Sequence, residues 1–332
     1  MRIALDAMGG DHAPKAIVEG CLEAAQKWPD MELVLLGHEQ SIRSLLGQPL
    51  PDNLTMHPVE EWIEADEEPV RAVRRKKGSS IVVGCRMVRE QKADAFISAG
   101  NTGALMAAGT MVTGRLSGID RPALAPMFPT LDGKGVLVLD VGANPEAKPV
   151  HLEQYALMGA LYAENVLGFD KPRVGLLNIG TEEGKGTALT KGAFELIKKL
   201  PIHFVGNVES RDILQGVCDV LVCDGFTGNV LLKNTEGVAK GIFARLKEEL
   251  SRNAFTKLAA AILKPGLKRF VKDMDYKEHG GAPLLGLKGP VVKAHGSSDT
   301  LAVLNAVRQA RRFVERDVIS AISKESQRLE RG

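Results

Sequence analysis

The sequence predicts a three-layer α/β/α protein built on a mostly parallel, doubly wound sheet from which one helical segment departs. Three observations carry that expectation. Short apolar runs bounded by glycine, asparagine or aspartate recur along the chain, and amphipathic stretches of helical length separate them. The apolar runs are also continuous rather than alternating, as strands covered by helices on both faces require.

The expected strands are Ile3–Asp6, Leu33–Leu36, Ala95–Ser98, Val136–Val141, Val174–Ile179, His203–Val205, Val220–Cys223 and Val291–Val292. Helical periodicity falls between them over Ala13–Trp28, Ser80–Glu90, Thr102–Gly114, His151–Leu167 and Thr187–Leu200. After the Val220 strand the alternation stops. Asn229–Leu250 runs on as one long helix, and two shorter amphipathic pieces follow it with no strand between. The last stretch, Ser298–Arg331, has helical period and alternating charge, which places it along the outside of the sheet.

The 332 residues suit one domain over 1–332 with an insertion, and 44% hydrophobic against 25% charged residues describes a chain that buries a core. Four cysteines, Cys21, Cys85, Cys218 and Cys223, match neither redox nor zinc spacings and read as reduced core residues. The start MRIALDAMGG has no charged n-region and no long apolar run, so no export is expected, and no stretch has the length of a membrane span. A net charge of +2 argues against a nucleic-acid binder.

That charge is unevenly spread. Between 251 and 277, Arg252, Lys257, Lys264, Lys268, Arg269, Lys272 and Lys277 face only Asp273 and Asp275, leaving +5 there and −3 elsewhere. Phe255, Leu258, Ala259, Ile262 and Leu263 recur at helical spacing, as do Leu267, Phe270, Val271 and Met274 after Pro265-Gly266. The segment 251–277 therefore predicts an amphipathic hairpin of two short helices. A lysine-rich polar side suits an anionic bilayer surface, with Phe255, Leu258, Ile262 and Leu263 as the contacts; packing on a dimer partner or docking of an acidic protein are the alternatives. A second basic run, Arg71 to Lys77, follows the acidic stretch Glu60–Glu68 and suits either an acidic partner or internal pairing.

In open α/β sheets ligands bind beyond the carboxyl ends of the strands. Seven such ends carry glycine with a polar residue: Asp6–His12, Ser98–Gly103, Gly142–Asn144, Gly180–Thr187, Gly206–Glu209, Asp224–Asn229 and His295–Asp299. Glycine admits close approach of backbone N–H groups, and a helix N-terminus behind them favours an anion. Turn geometry and helix capping account equally well for any single loop. Named motifs are missing. Gly180–Thr187 is one residue short of a P-loop and has Gly186 where a hydroxyl belongs; no G-x-G-x-x-G follows the first strand; no G-x-S-x-G elbow, cysteine–histidine neighbour or metal-ligand spacing is present. No covalent intermediate, metal or cofactor is expected.

The segments DAMGGDHAP (6–14), SAGNTGA (98–104), DVGAN (140–144), LLNIGTEEGKG (176–186), GNVE (206–209), DVLVCDGFTGNVLLK (219–233) and GGAPLLGLKGPVVKAHGSSD (280–299) together resemble the PlsX family of bacterial phosphate acyltransferases, in order and spacing. The resemblance implies a homodimeric, cytoplasmic α/β/α enzyme similar in fold to phosphotransacetylases and isocitrate-dehydrogenase-like proteins. It also implies a reversible reaction in which acyl carrier protein yields its fatty acyl group to inorganic phosphate. The acyl phosphate would then feed a membrane glycerol-3-phosphate acyltransferase in phospholipid synthesis. Alternatives are a phosphate acetyl- or butyryltransferase using coenzyme A, and a non-catalytic scaffold at the membrane surface.

For that chemistry, Asn101, Thr102, Gly103 and Asn144, with Asp11, Ser297 and Ser298, are the candidates for holding phosphate or substrate. Lys185 is the candidate for neutralising developing charge, His12 or His295 for accepting a proton or polarising the carbonyl, and Asp224 and Asn229 for orienting them. A plain alternative stands beside each: Asp224 and Asn144 as caps, Lys185 as a solvated loop lysine, either histidine as packing.

Overall fold

A computed structural model of the chain describes residues 1–46, 50–273 and 280–331. The first half runs β1 (Arg2–Asp6), α1 (Lys15–Lys27), β2 (Glu32–Gly37), α2 (Glu39–Arg43), β3 (Leu54–Pro58), α3 (Pro69–Arg75), α4 (Ser80–Arg89), β4 (Ala95–Ser98) and α5 (Thr102–Ala108), which a π turn prolongs over Gly109–Thr113. Then come β5 (Ala123–Leu124), β6 (Met127–Phe128), β7 (Val136–Leu139), α6 (Pro149–Tyr162), β8 (Arg173–Asn178), α7 (Ala188–Ile197), β9 (His203–Glu209) and β10 (Val220–Val222). The chain closes with α8 (Gly225–Leu250), α9 (Ala254–Asp273), β11 (Ala282–Leu285), β12 (Val291–Lys293), α10 (Thr300–Glu315) and α11 (Val318–Arg331).

The α/β alternation holds, but the ladder divides. Seven strands pair in the order β3-β2-β1-β4-β12-β11-β5 and five in the order β6-β7-β10-β8-β9, with the segment from Ala123 to Phe128 passing from one to the other. Antiparallel pairing is confined to the β11–β12, β11–β5 and β6–β7 neighbours. Alternate residues of the strands feed two apolar cores. Ile3, Leu5, Ile97, Leu139, Leu176 and Val222 join one, while Ala4, Phe96, Val138 and Leu221 join the other, so each core runs beneath both ladders. Helices α1, α6 and α10 cover the first face and α4 and α5 the second. A fully buried leucine or isoleucine contributes about 1.5–3 kcal/mol by leaving water, which is why these runs are unbroken.

Four strands were hidden by composition. The edge strand β3 (LTMHP) is mostly exposed and so lacks an apolar run; β5 and β6 have two residues each; and β11 contains Pro283, a residue that cannot donate to a ladder. Three expectations are corrected. Gly206–Glu209 is not a strand-end loop, because Gly206 at φ +92° lets the chain bulge and β9 continues to Glu209. The Ser298–Arg331 stretch is two helices, broken where Asp317 adopts a left-handed φ of 43°.

The third correction concerns the 251–277 hairpin. Pro265 and Gly266 do not end a helix: α9 runs through them, and the turn of the hairpin lies at Ser251–Asn253, between α8 and α9. One proline costs its own N–H bond and about 3 kcal/mol, and the alanine-rich turn before it sustains the helix. Phe255, Leu258, Ile262 and Leu263 are all exposed, Phe255 to 87%. Met274, Asp275 and Lys277 lie outside the described residues, as do the side chains of Leu267, Lys268, Arg269, Phe270, Val271, Lys272 and Asp273. Among the described residues no helix is long and apolar enough to cross a membrane.

Candidate active site

The strand order reverses at β1: the chain steps outward to β2 and β3, then returns to β4 on the other side. Such a switch point opens a crevice at the carboxyl ends. Five of the seven glycine-bearing loops meet there around a cavity of about 620 Å³. It is lined by the turn after β1 (Gly9–Asp11), the start of α5 (Asn101–Gly103), Gly142 after β7, Asn229 on α8, and His295, Gly296 and Ser298 after β12.

Backbone proximity builds the crevice. A Cβ on Gly9 would lie 2.5 Å from the Gly100 nitrogen, so the β1 turn can touch the β4 turn only because position 9 is glycine. The Asp11 N–H donates to the Gly296 carbonyl at 2.8 Å, tying in the β12 turn. Beneath them Asp6 is buried; its carboxylate accepts the Ser98 hydroxyl at 2.7 Å and the Met8 N–H at 3.1 Å. Burial holds this carboxyl above the ordinary range, opposed by those bonds. The neighbouring wall rests on Asp140, fully buried, which accepts the N–H groups of Leu124 (3.0 Å), Ala143 (3.1 Å) and Asn144 (2.6 Å) and the Asn144 amide (3.2 Å). Helix α8 starts hard against this turn: a Cβ on Gly228 would stand 1.9 Å from the Asp140 carbonyl oxygen.

Lysine 293 is the group the sequence reading missed. It ends β12, is 7% exposed, and lines the cavity. Its Nζ donates to the carbonyls of Ala99 (3.3 Å) and Ala294. Burial drives its pKa down to about 8, although Asp6 and Asp11 oppose this. The signal was a lysine inside the apolar run PVVKA, where a charged residue needs a reason. Lys233 and Glu236 were also missed. They follow Asn229 by four and seven residues on one face of α8 and pair at 3.1 Å.

His295 is half-buried. The Ser297 N–H donates to its Nδ1 at 3.1 Å, with the Ser297 hydroxyl 2.9 Å from the same atom, and Nε2 lies 3.7 Å from Glu236. A backbone N–H can only donate, so Nδ1 accepts and the neutral ring carries its proton on Nε2. Burial lowers the pKa of His295, with Glu236 opposing, and keeps the ring neutral at pH 7. Thr102 and Gly103, the first two residues of α5, line the cavity, and the N–H groups of a helix's first turn have no partner within the helix.

Other expected residues have different surroundings. Asn101 lines the cavity, but its side chain caps α5 through the Ala104 N–H (3.0 Å) and donates to the carbonyls of Glu64, Ala65 and Glu67. Asn144 donates to the Pro122 carbonyl at 2.6 Å and does not line the cavity. Asp224 caps α8, accepting the Thr227 N–H (2.9 Å) and hydroxyl (2.6 Å). Lys185 is exposed, 3.9 Å from Glu182, on the β8–α7 loop away from the cavity, and His12 is exposed beside Asp11. Ser298 is buried at the cavity, whereas Ser297 does not line it and contacts His295 instead. The four cysteines are free and buried, and burial raises every thiol, Cys85 and Cys218 to about 12. Among the described residues no three histidines, cysteines or acids stand where they could hold a metal.

Fold and cavity define an α/β sheet protein with a polar, glycine-lined crevice at its switch point. The chain belongs to the family described as fatty acid synthesis protein, which matches residues 1–321. It is 60% identical to the phosphate acyltransferase of Brevibacillus brevis, over 99% of this chain and 98% of that protein. The phosphate acyltransferase of Bacillus cytotoxicus is 58% identical, over 97% of each. Among solved structures, a phosphotransacetylase from Streptococcus pyogenes superposes with a TM-score of 0.59 at 16% identity, covering 94% of each chain. A branched-chain phosphotransacylase from Enterococcus faecalis superposes at 0.58 and 15% identity, covering 95% of this chain and 99% of that one. These two establish the likeness of fold, a three-layer α/β/α arrangement.

Proposed function

We propose that the chain is a phosphate acyltransferase, moving a fatty acyl group from the thioester of acyl carrier protein to inorganic phosphate and supplying acyl phosphate for phospholipid synthesis. The observation that carries the reading is the convergence of the α5 N-terminus, Lys293 and His295 on one cavity. The names of the relatives, at near-full coverage, support it.

In this reading the Thr102 and Gly103 N–H groups and the Lys293 ammonium hold phosphate, because together they present donors and positive charge in a water-poor site. A phosphate oxygen attacks the thioester carbonyl carbon. The carbonyl oxygen becomes an oxyanion that the His295 Nε2–H faces, and the carbon–sulfur bond then breaks. The phosphate proton passes to the departing thiolate, whose parent thiol has a pKa of about 8.5, so no covalent enzyme intermediate is needed. Phosphate-dependent release of free carrier thiol tests the assignment, and comparing acyl carrier protein with acyl-coenzyme A identifies the donor.

His295→Ala is expected to lower turnover at least tenfold in that assay with unchanged thermal unfolding; wild-type turnover would remove it from the mechanism. Lys185 lies outside the cavity of its own chain. Lys185→Ala is expected to lower turnover to a similar extent only where a second copy closes its Gly180–Thr187 loop over this cavity, so the measurement tests the pairing as well as the residue. A homodimer is supported by α8, whose Phe226, Val230, Val238 and Ile242 form an exposed stripe at four-residue multiples.

The cytoplasmic face of the membrane is the proposed place of action, with α9 lying on anionic lipid, where a product too greasy for water is handed to a membrane glycerol-3-phosphate acyltransferase. The exposed Phe255, Leu258, Ile262 and Leu263 support this. Leu258→Glu with Ile262→Glu is expected to release the protein from anionic vesicles in a flotation assay with turnover on soluble substrate intact. Unchanged flotation would refute it.

A further inference from the structure

Where α3, α4 and the π turn meet, the surface holds a groove that the cavity chemistry does not use. Its floor is apolar, with Val73 and Val82 buried, and its walls carry four exposed cations, Arg74, Lys77, Arg86 and Arg89. Among the described residues, none of the four lies within 4.0 Å of a carboxylate. Two of the guanidinium groups are braced on backbone instead: Arg86 donates to the Lys77 carbonyl at 2.8 Å and Arg89 to the Val112 carbonyl at 3.5 Å. Glu90 is near enough to feel Arg86 and Arg89 but is itself paired to Lys92 at 2.7 Å, so the four cations outnumber the acid beside them. Like charges gathered in this way raise the local potential, and held in place they lose little entropy on meeting an anion.

The groove is recessed, which separates it from the lipid-facing type of basic surface. A helix lying on a bilayer needs protruding apolar side chains, as α9 has; here only Met111 stands out at the rim, 46% exposed. A concave apolar floor ringed by arginine and lysine fits a convex helix bearing aspartate and glutamate. Its position relative to the cavity is also fixed. Thr102 and Gly103 at one end of α5 line the cavity, and Met111 and Val112 at the far end of its π extension line the groove. Nine or ten residues at helical rise set the two about 15 Å apart. A donor whose thioester sits at the end of a long flexible arm has to dock at such a set-back place, whereas a small free thioester has no use for it.

We propose that the Arg74, Lys77, Arg86 and Arg89 groove docks an acidic helix of the carrier protein that delivers the acyl thioester to the cavity. The inference rests on the phosphate acyltransferase reading and adds the carrier's binding surface to it.

The test is the double charge reversal Arg74→Glu with Arg86→Glu, with Arg74→Ala/Arg86→Ala as a milder companion and thermal unfolding as the control for folding. Three measurements are made on each protein: steady-state kinetics with acyl carrier protein and with acyl-coenzyme A, anisotropy of labelled, thioester-free carrier, and flotation with anionic vesicles. The reversal is expected to raise KM for the acyl carrier at least tenfold with kcat unchanged. It is expected to weaken binding of the free carrier equally, to leave coenzyme A kinetics and flotation untouched, and to be followed by the alanine pair to a smaller extent. Carrier binding equal to wild type in the reversal overturns the proposal, and release from vesicles with carrier binding intact assigns the groove to lipid instead. If the wild-type protein releases no thiol from any donor, the acyltransferase reading fails, while the anisotropy still decides the groove.

Discussion

Lys293→Met is expected to cut phosphate-dependent thiol release at least a hundredfold while the protein stays folded. The ammonium of Lys293 is a buried positive charge in the cavity wall, 7% exposed and anchored on the Ala99 and Ala294 carbonyls, and in the proposed reaction it faces the phosphate. A donor or charge aimed at developing negative charge in a dry site contributes about 2.7–4 kcal/mol, or ~10²–10³ in rate. Methionine keeps the length and apolar stem, so packing is spared. The pH dependence gives an independent check. The pKa of Lys293 falls from 10.5 in the open chain to about 8 in the fold. Between those values the unfolded chain binds more protons, so stability rises with pH, by roughly 3 kcal/mol across the interval. That rise should be absent from the methionine variant. Turnover in the native protein should decline above about pH 8 as the ammonium is lost, and on the acid side as His295 gains a second proton and loses its Ser297 contact. Wild-type turnover in Lys293→Met, or a flat alkaline limb in the native protein, would remove the lysine from the anion site.

The second large effect is on stability. Asp140→Ala should lower the free energy of unfolding by at least ~3 kcal/mol, read as a shifted denaturant midpoint, because four donors, one buried and three partly buried, lose one shared acceptor. Part of the loss is recovered, since burial holds the Asp140 carboxyl above its ordinary range and an ionised form there is costly. Activity should fall with it, as the turn Asp140 organises carries Gly142 and seats the first turn of α8 below Asn229. An unchanged midpoint would mean that water replaces the carboxylate at no cost.

Much of the fold could be read from the residues. Unbroken apolar runs such as VLVLD and RIALD mark strands buried on both faces, while α8 starts at Gly225, four residues before the expected Asn229, because Asp224 takes its alternative role as a cap. The failures have physical causes. β3 and β11 lack the apolar run for which strands are recognised, and Pro265 is outweighed by the helix around it. In the cavity, Asp11, Thr102, Gly103, Asn229, His295 and Ser298 come together as a census of strand ends implies. The sequence could not separate glycine-bearing loops that converge from those that do not, because that depends on strand order. Loop 180–187 follows β8, near the far edge of the five-stranded ladder. Lys293 is not legible as a site residue because it ends a strand, two residues before the His295–Asp299 loop.

The position of β12 has a bearing on biosynthesis. It is the last strand in the chain, yet it pairs with β4 on one side and β11 on the other, in the interior of the seven-stranded ladder. A nascent chain emerging from the ribosome therefore holds an open slot beside β4 until residue 293 has emerged, and the buried amine that lines the cavity arrives in the same stroke that seals the slot. A product truncated before residue 291 lacks both the strand that completes the ladder and the lysine that lines the cavity, and α10 and α11 have still to pack over the face that β12 closes.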